Sequence, residues 1–237
     1  MCIIRESLLL CYPMWELDIR NALRKHLDVV LEKDPTALIV EELGVCRGTV
    51  RVDLAVISET LKGFEIKSDK DTLKRLPSQA AAYNRVFDTV TIVVGPRHLK
   101  GVTDKVPSWW GILLFDNSDA QRGLQCFRPE DLNPDLDPLA LAQLLWRDEV
   151  LGLLTAKGLG AGMKSKPRRY LWEALSKSCG LSDLREMVRS RLKARPMWRF
   201  GGLRKQDGAK SLPSAKLSGF LSPRPHSRIR RYTGRPN

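Results

Sequence analysis

Three β-rich runs lie close together in the first half of the chain, and a helix-like segment separates the second run from the third. The runs are VRVDLAVI (50–57), GFEIKS (63–68) and TVTIVVG (89–95), and their β-branched content predicts strands. The third is apolar enough to be buried on both faces. PSQAAAYNRVF (77–87) reads as a helix with proline in its first turn. A strand–helix–strand connection joins parallel strands, whereas the short turn at 58–62 joins antiparallel ones. We therefore expect a mixed β-sheet with helices packed on it.

Two further elements precede these runs and one follows them. WELDIRNALRKHLDVVLE (15–32) places apolar residues near one face and predicts an amphipathic helix. ALIVEEL (37–43) predicts the first strand, and ILLF (112–115) predicts the last. The sequence thus predicts an α/β core over residues 1–127 in the order helix, three strands, helix, two strands.

The remainder of the chain has a different composition. RPEDLNPDLDP (128–138) is rich in proline and aspartate and is interpreted as a linker. Residues 139–199 contain helix-like apolar spacing and are expected to form a small basic helical domain. Residues 200–237 are rich in glycine, serine, proline and arginine, which predicts a disordered basic tail.

Charge divides the chain into two halves. Residues 1–156 carry 19 Lys and Arg against 23 Asp and Glu, whereas residues 157–237 carry 21 against 4. Such asymmetry favours a polyanionic partner, nucleic acid before a membrane surface. A solubilising basic tail is the alternative. The basic residues that we expect to contact nucleic acid are Lys74, Arg75, Lys164, Lys166, Arg168 and Arg169. For Lys74 and Arg75 the alternative is a solvated helix face.

Two acids and one lysine on neighbouring predicted strands are candidates for chemistry. Glu65 and Lys67 are two residues apart on one strand, so their side chains share a face. Asp53 lies on the preceding strand, which can pair directly with this one. Mg²⁺ or Mn²⁺ binds one or two carboxylates together with water and phosphate, so Asp53 and Glu65 would hold the metal, with the carbonyl of Ile66 as a further ligand. Lys67 would stabilise developing negative charge or orient the attacking water.

Other interpretations of the same residues stay open. Glu65 and Lys67 could form a charge pair on a solvated face, which would contribute little to stability. Asp53 could pair with Arg51 or with Arg47.

These residues resemble the signature of the PD-(D/E)XK nuclease superfamily. Val52-Asp53 stands for the PD step, with valine in place of the usual proline, and Glu65-Ile66-Lys67 stands for (D/E)XK. The run from EELGVCRG to TVTIVVG is similar to a little-characterised bacterial and phage branch, and the resemblance covers about residues 15–117. It implies a restriction-endonuclease-like mixed sheet flanked by helices.

The resemblance also implies roles for individual residues. Asp53, Glu65 and Lys67 would be the catalytic set. A supplementary acid from the first helix or first strand would be Glu42, with Glu41 and Glu16 as alternatives, and Gln79 on the following helix would join the site.

The sequence therefore predicts a Mg²⁺- or Mn²⁺-dependent nuclease that acts on DNA, with RNA as the alternative substrate. A non-catalytic nucleic-acid-binding protein on a nuclease-like fold is the second hypothesis. The five cysteines and three histidines lack metal-site spacing, and no GxxxxGK[ST] loop is present. We expect no small-molecule cofactor, no membrane partner and a cytoplasmic location, since no run approaches about 20 uninterrupted apolar residues. Members of the superfamily often pair to cut two strands, so a homodimer is one expected assembly.

Overall fold

A computed structural model describes residues 16–116 and 123–196. The helices in this part of the chain are α1 (Glu16–Lys33), α2 (Leu76–Tyr83), α3 (Pro96–Thr103), α4 (Pro138–Ala142), α5 (Arg147–Ala156), α6 (Arg168–Lys177) and α7 (Leu181–Lys193). Short 3-10 turns occur at Cys46–Gly48, Leu73–Arg75 and Met163–Ser165. Within the described ranges, no helix combines the length and apolar character needed to cross a membrane. The tail predicted to be disordered, 200–237, lies outside the described residues.

Six strands form one mixed sheet and lie in it in chain order. They are β1 (Leu38–Val45), β2 (Val50–Ile57), β3 (Leu61–Lys67), β4 (Thr89–Val94), β5 (Gly111–Asp116) and β6 (Gly123–Arg128). β1, β2 and β3 are antiparallel, β3, β4 and β5 are parallel, and β6 returns antiparallel to β5. The mixed α/β architecture predicted from the sequence is confirmed.

The prediction that the strand at 112–115 is the last one was wrong. β6 continues the sheet beyond β5 and pairs with it. The sequence of β6, GLQCFR, gives a weak strand signal because the middle residues of this edge strand are exposed.

Chain connectivity decides which helices cover which face of the sheet. The β3–α2–β4 and β4–α3–β5 crossovers step across the sheet in the same direction, so a common right-handed sense places α2 and α3 on one face. The other face is left for α1, whose buried residues Ile19, Leu23 and Leu27 pack in one cluster with Leu54 and Phe64 of the sheet.

Helices α4 to α7 pack on the same face as α2. Their buried residues, including Leu141, Leu171 and Leu184, belong to one hydrophobic cluster with Ile92 of β4. The connecting segment 128–138 is held down by hydrogen bonds. Asn133 Nδ2 donates to the carbonyls of Asn84 and Phe87 at 2.6 and 2.9 Å. Asp137 accepts from the first backbone N–H groups of α4 at 2.8 and 3.1 Å. The predicted division into separate units stays a prediction, and the structure joins these segments through a shared core.

Candidate active site

The β2–β3 ladder ends where the candidate site begins. The last paired residues are Leu54 and Phe64. Beyond them, Asp53 Oδ2 accepts a hydrogen bond of 2.7 Å from the backbone N–H of Ile66. The Asp53 carboxylate thus accepts a hydrogen bond that a backbone carbonyl of β2 would accept if the strand pairing continued. It does so at the point where the two strands diverge. A strand residue directs its N–H and C=O to the same side, so the carbonyl of Ile66 faces the same gap as Asp53.

Glu65 and Lys67 are buried together on β3, with 1% and 6% of their surfaces exposed. Lys67 Nζ forms an ion pair with Glu65 Oε1. The interpretation of these residues as a pair on a solvated face was therefore wrong. A buried charge is tolerated when it is paired and hydrogen-bonded, and this pair has further partners on α2.

Two side chains of α2 hold the carboxylate of Glu65. Gln79 Nε2 donates to Oε1 at 2.6 Å, and the hydroxyl of Tyr83 lies 2.7 Å from Oε2. The same hydroxyl is 2.7 Å from the carbonyl of Arg51 on β2. Gln79 and Tyr83 are four residues apart, which places them on one face of the helix. Tyr83 was missed from the sequence, although its spacing from Gln79 on the predicted helix was the available signal.

The predicted catalytic residues line one cavity of about 410 Å³. Among its lining residues are Asp53, Glu65, Ile66, Lys67 and Gln79. The structure thus brings together residues from two strands and a helix that the sequence had selected as one set.

Of the three candidate supplementary acids, Glu42 is the one opposite Asp53. Its neighbours on β1 pair with the neighbours of Asp53, so the register places the two residues across from each other. Glu42 has a backbone φ of 54°, which is uncommon for a residue with a side chain. Val40 and Leu43 are three residues apart yet belong to one core cluster, although regular alternation would direct them to opposite faces. The backbone irregularity at Glu42 therefore resets the alternation of β1 and leaves Glu42 at the cavity.

The other two acids differ in position. Glu16 also lines the cavity. Glu41 lies outside that cavity and contacts Arg24 of α1. The sequence could not separate Glu41 from Glu42, since adjacent acids on a strand look alike until the strand's irregularity is known.

Arg20 of α1 is a cation of this site that sequence analysis missed. Its Nη2 lies 3.8 Å from Asp53 Oδ1 and 4.0 Å from Glu42 Oε1, and it donates to Glu16 Oε1 at 2.9 Å. The cation nearest to Asp53 is thus on the first helix, in place of the neighbouring Arg51 or Arg47 that the sequence had offered as a partner. The available signal was the four-residue spacing from Glu16 on a predicted amphipathic helix.

Burial and neighbouring charge shift two ionisable groups. Burial, followed by the negative charge of Glu65, raises the pKa of Asp53 to about 7, against opposing effects of the Ile66 N–H, Lys67 and Arg20. Burial, followed by the charge of Glu65, also raises the pKa of Tyr83 above its ordinary value. The Tyr83 hydroxyl consequently stays protonated at neutral pH and can donate a hydrogen bond to Glu65.

The oxygen donors of the cavity are of the kind that a hard divalent cation prefers. Two carboxylates, Asp53 and Glu65, line the cavity together with Ile66. Gln79 Oε1 is buried with no hydrogen-bond partner among the described residues. Mg²⁺ commonly binds through one or two carboxylates, with water and phosphate completing its coordination, so this donor set fits. Residues 16–116 and 123–196 contain no group of three or more His, Cys, Asp or Glu side chains arranged to hold a metal.

The predicted nucleic-acid-binding residues are all exposed, but they occupy different places. Arg75 lines the same cavity as Asp53, and Lys74 precedes it in the 3-10 turn. Arg168 lines a second cavity, and Arg169 pairs with Glu173 at 2.9 Å.

Lys164 and Lys166 belong to the segment between α5 and α6. Their backbone carbonyls accept hydrogen bonds of 2.5 and 2.7 Å from Arg147. Their ammonium groups stay on an exposed surface.

Comparison with known proteins relates the chain to a phage family. The family described as "Bacteriophage P4 protein cII" matches residues 13–200. Protein cII of Enterobacteria phage P4 is 30% identical over 159 residues, which cover 67% of this chain and 60% of that protein. The chain thus spans less than two thirds of the length of this curated relative.

A solved structure of a protein of unknown function from Silicibacter pomeroyi is also similar. It aligns with a TM-score of 0.38 and 17% identity, covering 67% of this chain and 98% of that one.

Proposed function

The chain belongs to the family of bacteriophage P4 protein cII, and for this member we propose a divalent-metal-dependent nuclease activity that hydrolyses DNA phosphodiester bonds. The observation that carries the proposal is the meeting of Asp53 from β2 with Glu65 and Lys67 from β3, where the two strands diverge beside a cavity of about 410 Å³. The 2.7 Å hydrogen bond between Asp53 and the Ile66 N–H fixes this meeting.

The proposal includes a restriction-endonuclease-like core. The order α1, β1, β2, β3, α2, β4 supports it, with the aspartate on the second strand and the Glu-x-Lys triplet on the third. The parallel β3–β4 pair after an antiparallel meander supports it as well.

Asp53, Glu65 and the carbonyl of Ile66 would hold a Mg²⁺ or Mn²⁺ ion. When bound, such an ion polarises the phosphate and lowers the pKa of its water ligand. The chain's own residues supply positioning and charge. Gln79 and Tyr83 orient the carboxylate of Glu65, and the positive charge of Lys67 offsets negative charge that develops on the scissile phosphate.

Substrate binding would rest on exposed cations. Arg75 lies at the cavity and can pair with a phosphate next to the one that is cut. The basic half of the chain would bind the backbone with little choice of sequence, because phosphate contacts position a protein without reading bases. DNA is the partner that we propose, in line with the net charge of +13.

A plasmid-nicking assay tests the activity. We expect the full-length protein to nick supercoiled DNA with Mg²⁺ or Mn²⁺ and to stop when EDTA is added. Asp53→Asn, Glu65→Gln and Lys67→Ala should each abolish nicking. Lys62→Ala is the matched control, since Lys62 lies on the same strand but pairs with Glu130 outside the cavity. Thermal unfolding of each variant checks that it folds, and undiminished nicking by all three folded variants would remove this assignment.

The second candidate is a nucleic-acid-binding protein that does not cut. The excess of positive charge in residues 157–237, with 21 Lys and Arg against 4 Asp and Glu, favours it. Binding to phosphates weakens steeply with salt because counterions are released. Steeply salt-dependent binding of DNA, without cleavage in any divalent metal, would favour this candidate over the nuclease.

A further inference from the structure

A second cavity adjoins the candidate active site. It encloses about 300 Å³ between β1 and the segment that joins α4 to α5. Glu42 lines both cavities, so they meet at the acid opposite Asp53. Trp146, Arg47 and Arg168 lie along this second cavity, which we call the side groove.

Trp146 is presented in the side groove with a cation against its ring. Its side chain is 46% exposed, and the guanidinium of Arg195 lies 4.1 Å from the ring centroid. Arg195 is itself fixed, because it bonds Glu149 at 2.7 and 2.6 Å and the carbonyl of Leu144 at 2.8 Å. The indole therefore has a fixed position before any ligand arrives, and a large part of its surface remains open.

Two other cations of the side groove are available to an anion. Arg47 and Arg168 are both exposed. Among the residues that the structure describes, neither has a carboxylate within ion-pair distance, whereas Arg195 is neutralised by Glu149. The groove thus combines one exposed indole with two cations that lack a carboxylate partner among the described residues. The guanidinium of Arg168 lies 5.6 Å from the ring centroid of Trp172, which also lines the groove.

The neighbouring surface repeats this combination. Tyr170 is 45% exposed, with the ammonium of Lys166 5.2 Å from its ring centroid. Arg147, next to Trp146, ties the Lys166 backbone to this region through a hydrogen bond of 2.7 Å. Alternating aromatic and basic side chains are typical of surfaces that bind unpaired nucleotides.

We propose that the side groove binds single-stranded DNA, with an unpaired base stacked on Trp146 and flanking phosphates at Arg47 and Arg168. The strand would pass Glu42 and enter the candidate active site. Cleavage of the bound strand rests on the proposed function, whereas binding itself is independent of it. Duplex DNA keeps its base faces covered by neighbouring bases, so it cannot use the Trp146 surface. The favoured substrate is then a single strand, or a duplex with an unpaired end.

Equilibrium binding tests the inference without relying on cleavage. The full-length protein carrying Asp53→Asn, which prevents cutting, is titrated against a short fluorescein-labelled oligothymidine and against a hairpin duplex. Fluorescence anisotropy reports both affinities in EDTA. Adding Trp146→Ala should weaken binding of the single strand about tenfold, the scale of one lost base–aromatic stack, and change duplex binding less than about twofold. Trp146→Phe should retain most of the single-strand affinity.

Phe127→Ala is the matched control. Phe127 is an aromatic residue with 54% of its surface exposed, on β6 away from the side groove, and its loss should leave both affinities unchanged. If Trp146→Ala binds the single strand as tightly as Phe127→Ala does, or weakens single-strand and duplex binding equally, the inference is overturned. If the wild type cuts no DNA in any metal while the Trp146 effect is present, the nuclease proposal fails and the single-strand site stands. Thermal unfolding checks each variant. If Trp146→Ala does not fold, Trp146→Leu replaces it, because leucine keeps an apolar side chain but offers no ring for stacking, and it should weaken single-strand binding in the same way.

Discussion

Asp53→Asn should stabilise the metal-free protein while abolishing its proposed activity. In the metal-free site, the carboxylate of Asp53 is largely buried and faces the charge of Glu65, which raises its pKa to about 7. Asparagine keeps an oxygen that can accept the Ile66 N–H hydrogen bond and removes the charge. The same change removes one of the two proposed carboxylate ligands.

The shift in the pKa of Asp53 sets the size of the stability change. An aspartate whose pKa is raised from 3.8 to about 7 disfavours the folded state by about 4 kcal/mol once it is ionised, at 1.36 kcal/mol per unit. The side chain is 23% exposed, and water lessens the effect, so we expect about 2 kcal/mol. That corresponds to a Tm increase of about 4–8 °C for a chain of this size.

The raised pKa of Asp53 also determines how the stability of the protein changes with pH. Because the folded state holds the Asp53 proton to higher pH than the unfolded state does, the wild type loses stability as pH rises from about 4 to about 7. The stabilising effect of Asp53→Asn should therefore be full at about pH 8 and nearly absent at about pH 4. Urea and thermal unfolding in EDTA at the two pH values measure it.

Asp104→Asn is the control, since it removes an exposed aspartate at the end of α3. It should change stability little at either pH. Mg²⁺ at ten times its Kd should then stabilise the wild type by about 1.4 kcal/mol at pH 8 and leave Asp53→Asn unaffected. An Asp53→Asn protein that is less stable than wild type at pH 8, or whose gain in stability is equal at both pH values, would show that the Asp53 charge does not destabilise the folded state.

Three further changes test other parts of the structure. Tyr83→Phe removes a hydroxyl that lies 2.7 Å from Glu65 Oε2. Because the buried carboxylate then lacks one donor, the free energy of unfolding should fall by about 1–3 kcal/mol, and the nicking rate should fall as well. Unchanged unfolding and nicking would contradict the role of Tyr83. Asp137→Ala removes the side-chain cap of α4 and should cost about 1 kcal/mol in urea unfolding, whereas Asp137→Asn should recover most of it. Gly63→Ala would bring a Cβ to 3.0 Å from the ring of Phe87, which is fully buried; we expect a loss of about 1–3 kcal/mol, and a neutral result would mean that the ring can move.

The central strands and the set of Asp53, Glu65 and Lys67 could be predicted from the sequence. The run at 50–57 became β2, and the run at 89–95 became β4. In both, β-branched residues at strand spacing encode the local conformation directly. The two-residue spacing of Glu65 and Lys67 also determined that they share a face, because side-chain direction alternates along any strand.

Strand β6 and the packing of the C-terminal helices could not be predicted from the sequence. β6 was missed because an exposed edge strand needs few apolar residues. The helices of residues 139–199 were predicted, but their packing into one hydrophobic cluster with the sheet was not. Packing partners depend on which apolar faces meet in space, and periodicity within one helix does not specify its partner.

The side chains that join Asp53 and Glu65 from other elements depend on how the whole chain folds. The tertiary structure brought in Arg20 from α1 and Tyr83 from α2, and it separated Glu42 from Glu41 through a positive φ on β1. It also placed Trp146 in a groove that meets the candidate active site at Glu42. Sequence spacing fixes geometry over only a few residues, within one strand or helical turn. Contacts between elements far apart in the chain depend on strand divergence, backbone irregularities and helix placement, which arise only when the whole core packs.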